Sequence, residues 1–478
     1  MNFKKYFSAL LLLMVLMCCV GAVNAASDDV IYDDGLMADQ STELDSVSVD
    51  ESNAEPVEVS QDDSVLENTN QNVVASVQTS SKLSPLEQFK KDLDENHGTI
   101  YLTGNIKISE PFILKEKTVI DGNGHTIDAQ HKTNIFKSYK SLTIKNMVLI
   151  NGKAPKGGAI YSNGDLNIDH CTFKNNLATE CGGAIAIISG HLSLTNSHFE
   201  SNSVQNSKSS GYGGAVWVYK SSSKISKCTF KSNSCISKVL KKHSKATKYK
   251  FSGGAITYSA GSSHTLTDCK FTGNKASNHG GSIFVINTKS LSINKCEFSK
   301  NRAVFEDGGA ISFAGKKLTV TNSNFNNNLA YEDGGAIDSY SVTSKKITIT
   351  IKNCNFKSNT GYKCGGAIWM GVKTIYTVEN SKFIKNKASS AGAIEAEDGS
   401  AKITKCTFTS NKAAKVTSWV VKTKSGGHLA HSGGAILIKN KCKITKSVFK
   451  KNKARWGKAV KIEGGKLTAK SNKGQKLK

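Results

Sequence analysis

Two short motifs alternate along the chain at a nearly constant spacing. A Phe-x-x-Asn motif begins at Phe173, Phe199, Phe230, Phe271, Phe298, Phe325, Phe356, Phe383, Phe408 and Phe449. A tetrad of the type Gly-Gly-Ala-Ile begins at Gly157, Gly182, Gly213, Gly253, Gly280, Gly308, Gly334, Gly365, Ala391 and Gly433. Successive phenylalanines are mostly 25 to 31 residues apart. A fixed period in this range indicates a repeat architecture, in which each unit packs against its neighbours.

The stretches between the motifs are typical of short strands. Residues 346–351 and 367–370 are rich in apolar and β-branched side chains, and glycine, asparagine and serine bound such runs. No repeat contains a run with a period of 3.6 residues that is long enough for a helix. The pattern predicts an all-β fold, a right-handed parallel β-helix of about a dozen coils. Equivalent residues would then stack at the spacing between neighbouring strands, about 4.8 Å.

The repeats predict structural ladders inside this β-helix. The phenylalanines, among them Phe173, Phe230, Phe298 and Phe356, would stack in the core. The asparagines would hydrogen-bond from coil to coil in a turn, and these include Asn176, Asn233, Asn301 and Asn359. The paired glycines would allow a sharp corner that a Cβ atom would obstruct.

A third ladder is predicted two residues before the phenylalanine. Six repeats have cysteine there, including Cys171, Cys269 and Cys296, and four have serine. This exchange favours small buried side chains and stacked thiols. Cys269 and Cys296 would lie on adjacent coils within disulfide range, so a bridge between them stays open.

The remaining segments differ sharply in composition. Residues 1–25 have the two lysines, apolar run and small residues of a secretory signal peptide, which places the protein outside the cell or at its surface. Residues 26–83 are acidic and predict a disordered linker. Residues 84–98 predict a capping helix, because Ser84, Pro85 and Glu87 form a capping box. Residues 99–465 would form the β-helix and residues 466–478 a basic tail. No further apolar run is long enough to span a bilayer, so no transmembrane span is expected in the mature chain.

The net charge is strongly positive and comes from lysine. It is +26 for the whole chain, and +38 without the 14 acidic residues of segment 27–81 and the two lysines of the leader. Arg302 and Arg455 are the only arginines. Nucleic-acid sites favour arginine for bidentate contacts, so nucleic acid is not an expected partner. Anionic cell-wall polymers and surface polysaccharides fit better, although a lysine-rich surface that only keeps the protein soluble is an equal alternative.

Aromatic residues recur at the outward position of the tetrad strand. Tyr161, Trp217, Phe284 and Trp369 occupy it, and Trp419 lies in an insertion between repeats. Exposed rings on a flat strand face can stack on sugars, which makes these residues candidate binding residues. Scattered exposed aromatic residues also occur without a function.

The same outward position carries two carboxylates. Asp338 and Glu395 would flank Trp369 on three successive coils, about 9.6 Å apart at Cα, or two strand spacings. Carboxyl groups about 6.5–9.5 Å apart suit an inverting glycoside hydrolase. The alternative is that these carboxylates pair with nearby lysines or bind calcium weakly. The sequence shows no metal-ligand spacing, no nucleophile arrangement and no cofactor motif, so neither a metal nor a cofactor is expected.

The combined motifs resemble a known family. The alternation of Gly-Gly-Ala-Ile with Phe-x-x-Asn resembles the chlamydial polymorphic membrane protein repeat. The leader ending in Val-Asn-Ala-Ala and the stretch 118–128 make the layout similar to adhesin-like proteins of methanogenic archaea. The resemblance implies a pectin-lyase-like β-helix at the cell surface, with adhesion to polysaccharides or proteins of a partner cell. A polysaccharide-degrading enzyme and a structural envelope protein without a ligand are the alternatives.

Overall fold

A computed structural model describes residues 83–206, 209–237, 250–341, 346–371, 373–397, 399–414 and 432–477. The expected signal peptide and nearly all of the expected acidic linker lie outside the described residues, as does Trp419.

One helix precedes the strands, Pro85–Glu95. The Ser84 side chain accepts a hydrogen bond from the Glu87 backbone, and the Glu87 carboxylate accepts one from the Ser84 backbone. Phe89 is buried and its ring meets that of Phe112 edge-on at 5.0 Å between centroids. The helix therefore covers the apolar interior at the first coil.

The strands form four parallel sheets. A coil with a strand in every sheet visits them in the order A, B, D and C, and the first two coils have no strand in sheet D. Sheet A contains Thr99–Tyr101, Thr118–Asp121, Leu142–Lys145, Leu166–Asp169, His191–Thr195, Ser222–Ser226, Ser263–Thr267, Ser290–Asn294, Lys317–Thr321, Ile347–Lys352, Thr374–Glu379, Gly399–Thr404, Cys442–Thr445 and Leu467–Lys470. Sheet B contains Ile106–Lys107, Thr126–Asp128, Val148–Ile150, Thr172–Lys174, His198–Glu200, Thr229–Lys231, Lys270–Thr272, Glu297–Ser299, Asn324–Asn326, Asn355–Lys357, Lys382–Ile384, Thr407–Thr409, Val448–Lys450 and Lys473–Gly474.

The other two sheets complete each coil. Sheet C contains the tetrad strands Phe112–Leu114, Phe136–Ser138, Ile160–Ser162, Ile185–Ile188, Val216–Tyr219, Ile256–Ser259, Ile283–Ile286, Ile311–Ala314, Ile337–Ser339, Ile368–Met370, Ile394–Ala396, Ile436–Ile438 and Val460–Ile462. Sheet D contains Lys153–Lys156, Leu177–Cys181, Ser203–Asn206, Gly211–Tyr212, Ser234–Ser237, Phe251–Ser252, Lys275–Ala276, Arg302–Ala303, Leu329–Ala330, Thr360–Cys364, Lys387–Ser390 and Lys412–Ala413. This architecture confirms the predicted parallel β-helix of about a dozen coils.

The phenylalanines of the repeat stack along the core. From Phe173 to Phe449 each ring lies 4.7–4.9 Å from the next, and neighbouring ring planes are within 9° of parallel. All of these rings are buried. The ring spacing equals the strand spacing, so one side chain per coil fills the interior without a gap.

The asparagines form a buried ladder in the turn after sheet B. Asn359 is typical: its Oδ1 accepts hydrogen bonds from the backbone and side chain of Asn328, both at 3.0 Å. Its Nδ2 donates to the Phe325 carbonyl at 2.9 Å and to Asn386 Oδ1 at 3.0 Å. Each buried amide therefore satisfies its own polar atoms and two backbone groups.

The glycine pairs make the corner before sheet C. Gly213 has a φ of +67°, and a Cβ atom there would lie 2.2 Å from the Val216 carbonyl oxygen. A Cβ atom on Gly214 would lie 2.1 Å from the carbonyl oxygen of Gly254 on the next coil. The first glycine is needed for its backbone conformation and the second for the close approach of two coils.

The cysteines of the described residues are buried inside the β-helix and form no disulfide. Cys171, Cys269 and Cys296 are buried and none forms a disulfide, so the bridge left open by the sequence is absent between Cys269 and Cys296. Burial raises the pKa of the Cys171 thiol to about 12. The Cys171 thiol therefore acts as a small core side chain rather than as a nucleophile.

Replacing Asn359 with alanine should destabilise the β-helix strongly, because it leaves buried donors of Asn328 and the buried carbonyl of Phe325 unpaired. We expect the free energy of unfolding to fall by about 3 kcal/mol or more. Asn355→Ala is the matched control on the same coil, since Asn355 is exposed and its amide donates to Asn324. Its cost should stay below about 1 kcal/mol. Denaturant unfolding followed by circular dichroism measures both, and equal losses would contradict the ladder's role.

Candidate functional site

One column of side chains runs along the outer face of sheet C. Strand pairing places one residue per coil in it, and we call it the outer column. Its members are Ile113, Lys137, Tyr161, Ala186, Trp217, Thr257, Phe284, Ser312, Asp338, Trp369, Glu395, Leu437 and Lys461. The column brings Tyr161, Trp217, Phe284 and Trp369 onto one face, as the sequence predicts.

A second line of residues borders this column. It consists of the residue immediately before each tetrad, and we call it the rim. Two rim residues, Ser252 and His279, contact the outer-column residue of their own coil. The His279 ring stacks on Phe284 at 5.8 Å, and the Thr257 hydroxyl donates to the Ser252 carbonyl at 2.9 Å. Rim residues therefore cover part of the outer face of sheet C.

The aromatic residues of the outer column differ in exposure. Tyr161, Trp217 and Trp369 are half-buried. Trp217 also stacks on Tyr219 at 5.1 Å, and its indole nitrogen donates to the Ser259 hydroxyl at 3.0 Å. These contacts fix the indole plane while one part of it stays accessible.

The prediction that Phe284 is an exposed binding residue is wrong. Its exposed fraction is only 4%, because the imidazole of His279 lies over the ring. Phe284 therefore packs beneath the His279 ring and has no accessible surface for a ligand.

Two exposed side chains near the first coils extend the apolar surface. Ile113 is 56% exposed in the outer column, and Tyr139 is 49% exposed immediately after the next strand. Sequence reasoning missed both, since these coils lack the tetrad. The alternation of Phe112 and Leu114 around Ile113 is the signal that could have found it.

The acidic residues of the chain's middle repeats lie in or beside the rim and the outer column. We call Glu306, Asp307, Glu332, Asp333, Asp338, Glu395 and Glu397 the acidic cluster. Basic side chains pair with five of its members, including Asp307, which lies 3.7 Å from His279 Nδ1. His279 Nε2 lies 2.7 Å from Glu306, which also contacts Lys250. Lys363 pairs with Glu332 at 2.7 Å, and Lys439 pairs with Glu395 at 2.9 Å and with Glu397 at 3.5 Å.

Each of the three aspartates of the cluster also accepts a hydrogen bond from a residue of a neighbouring coil. Asp307 Oδ1 accepts from the Asp333 backbone and Asp333 Oδ1 from the Cys364 backbone, each at 2.9 Å. Asp338 is fully buried and accepts from the Ser312 hydroxyl at 3.0 Å, while its Oδ1 has no hydrogen-bond partner among the described residues.

The pKa values follow this division. Burial and the neighbouring Glu332 raise the pKa of Asp307 to about 7. Burial together with Asp307 raises the pKa of Asp333 and of Asp338 well above their usual range. Burial acts to raise the pKa of Glu306, but His279 and Lys250 outweigh it and lower that pKa. Asp307, Asp333 and Asp338 thus keep their protons to a higher pH than exposed aspartates do, whereas Glu306 ionises more readily than an exposed glutamate.

Asp338 and Glu395 flank Trp369 in register, as expected from the sequence. Both carboxyl groups are fully buried, whereas the sequence predicted outward, accessible groups. Glu395 is neutralised by Lys439, and burial still raises its pKa. Neither carboxyl group is therefore accessible from solvent on the outer face of sheet C.

Neither a metal-binding group of side chains nor a membrane-spanning helix occurs among the described residues. Among them, no group of three or more histidine, cysteine, aspartate or glutamate side chains is placed to hold a metal ion. Within the same ranges no helix has the length and apolar character needed to cross a membrane.

Comparison with known families agrees with the fold. The family described as the right-handed beta helix region matches residues 203–380 and 255–473, which together cover more than half of the chain. The chain therefore belongs to the right-handed β-helix family. The Chlamydia polymorphic membrane protein repeat matches residues 170–187. No curated protein gave a significant match. A β-helix with this repeat fits a protein of the cell surface.

Asp338→Asn should change how stability depends on pH. Below about pH 3, roughly one unit under its ordinary pKa, aspartate is protonated both in the folded and in the unfolded chain, so the variant and the parent should melt alike. As pH rises, the unfolded aspartate ionises while the buried one resists, and the parent loses stability until its raised folded pKa is passed. The Tm of Asp338→Asn should therefore rise by a few degrees relative to the parent as the pH increases from about 4 toward the raised pKa of the folded chain.

Asp169→Asn is the control with the opposite sign. Burial acts to raise the pKa of Asp169, but hydrogen bonds from Thr195 and Asn196 lower it. Its ionised form is stabilising, so this variant should lose Tm relative to the parent over the same range. Calorimetric scans at several pH values give both trends, and two shifts of the same sign would refute the assignment.

Proposed function

We propose that this protein is an adhesin-like protein of the cell surface that binds glycans or other surface polymers of a partner cell through the outer face of sheet C. The observation that supports this most directly is the in-register placement of half-exposed Tyr161 and Trp217, with Trp369 further along the same column. Export through a cleaved leader is part of the proposal.

The arrangement suits weak contacts repeated along one polymer. Each ring offers an apolar face with a polar edge, which matches the faces of sugar rings. Exposed Ile113 and Tyr139 lengthen the same surface toward the first coil. Because the sites belong to one rigid stack, binding at one raises the effective concentration at the next.

Replacing Trp217 and Trp369 together with alanine should weaken retention on the bound polysaccharide about tenfold, at roughly 0.5–1.5 kcal/mol per ring. A panel of insoluble wall and host polysaccharides in a pull-down assay measures retention. Trp369→Phe keeps a ring and should preserve part of the affinity.

The matched control is Tyr101→Ala. Tyr101 is 54% exposed but lies on sheet A, away from the outer column. Its replacement should leave retention unchanged. Equal retention by the tryptophan variant and the parent would reject the outer column as the binding surface.

A second candidate function is glycoside hydrolysis with inversion, favoured by the raised pKa values of Asp338 and Glu395 on either side of Trp369. Protonated Asp338 would donate a proton to the glycosidic oxygen, and Glu395 would activate water. Both groups are buried, so the rim would have to open for the substrate. Release of reducing ends that disappears in Asp338→Asn and in Glu395→Gln would establish an enzyme. The absence of release across the panel would leave the binding role.

A further inference from the structure

A basic groove lies on sheet A, on a different face from the outer column. It encloses about 500 Å³ near the last strands of the sheet. Four lysines, three hydroxyl side chains and one apolar side chain line its surface, namely Lys402, Lys441, Lys443, Lys466, Thr377, Ser400, Thr468 and Ile375. No carboxylate lines it.

Strand register arranges these side chains as a grid. Thr377, Lys402, Lys443 and Thr468 are consecutive partners on four neighbouring strands. Ile375 pairs with Ser400 in a parallel column. The Ala401 amide donates to the Lys441 carbonyl and the Cys442 amide to the Lys466 carbonyl, which places Lys441 and Lys466 in the column of Ser400. Neighbouring lysines are therefore anchored about 4.8 Å apart across strands and about 6.6 Å apart along a strand.

The four lysines are left without neutralising partners. All are exposed, and none forms an ion pair with a described residue. Glu379, on the same sheet, pairs with Lys352 at 3.2 Å instead. Elsewhere in the chain, Lys250, Lys363 and Lys439 have carboxylate partners. A fixed group of like charges repels itself and attracts a multivalent anion.

We propose that this groove binds an extended anionic polymer whose carboxylate, sulfate or phosphate groups repeat along its length. The lysine ammonium groups would neutralise successive anionic groups, and the hydroxyls of Ser400, Thr377 and Thr468 would bond the polymer between them. Lysine suits this task because it acts as a compact point charge. Exposed Ile375 offers an apolar contact to the polymer backbone.

This groove adds a function to the proposed one and does not depend on it. One molecule could hold an anionic polymer on sheet A while the outer column of sheet C contacts a partner cell. The two surfaces are built from different strands of the same coils, so a variant of one leaves the other intact.

The test compares two double variants of the full-length chain that remove the same charge. Lys402→Gln with Lys443→Gln alters the groove. Lys357→Gln with Lys382→Gln alters two exposed lysines of sheet B. Binding to fluorescent polygalacturonate, dextran sulfate, polyphosphate and neutral dextran is measured by anisotropy at about 0.15 M salt, where distant charges are screened.

The groove variant should bind at least one anionic polymer about tenfold more weakly, and the sheet B variant within about twofold of the parent. The polymer affected identifies the anionic group. Equal losses in both variants would overturn the proposal in favour of diffuse surface charge, as would no binding of any anionic polymer. Introducing Trp217→Ala with Trp369→Ala should leave unchanged the loss of affinity that Lys402→Gln with Lys443→Gln causes, which separates failure here from failure of the outer-column proposal.

Discussion

The asparagine ladder is the interaction on which the rest of the molecule depends. Each buried amide accepts two hydrogen bonds from the preceding coil and donates one to the following coil and one to a carbonyl behind it. This pattern leaves no tolerance for a slipped coil, because a one-residue shift would strand several buried polar atoms. The phenylalanine stack and the glycine corners depend on the same alignment of successive coils. So does the outer column, whose side chains meet in register only because the coils do.

The sequence predicts those parts of the fold that recur. Phe173, Asn176 and the first glycine of each tetrad are identifiable because every coil imposes the same demand on them. The exposure of the outer column is not predictable in this way. Phe284 and Asp338 occupy the position of Trp217, yet they are buried by residues that differ from coil to coil, such as His279. Contacts with the rim residue determine whether these side chains are exposed, and the rim residue is not part of the repeated motif.

Charge is distributed unevenly around the coils. Among the carboxylates of the middle repeats, Glu306, Glu332 and Glu395 pair with lysines or a histidine. Burial raises the pKa of Asp307 beside them. The lysines at the end of sheet A stand beside hydroxyls and have no such partners among the described residues. A chain with a large positive net charge thus presents two chemically different faces. On one face the charged groups are largely buried and paired, and on the other the lysines are exposed to solvent.

The corner glycines have a consequence for how such a chain can change length. The amide of Gly214 bonds the carbonyl of Gly253, and the same contact recurs between Gly254 and Gly280. Each coil consequently offers its successor an identical docking edge. Excising or duplicating a segment from one corner to the equivalent corner would rejoin matching edges. Genetic gain or loss of whole coils could then alter the reach of both faces, while the helix at the first coil and the last strands stay as they are.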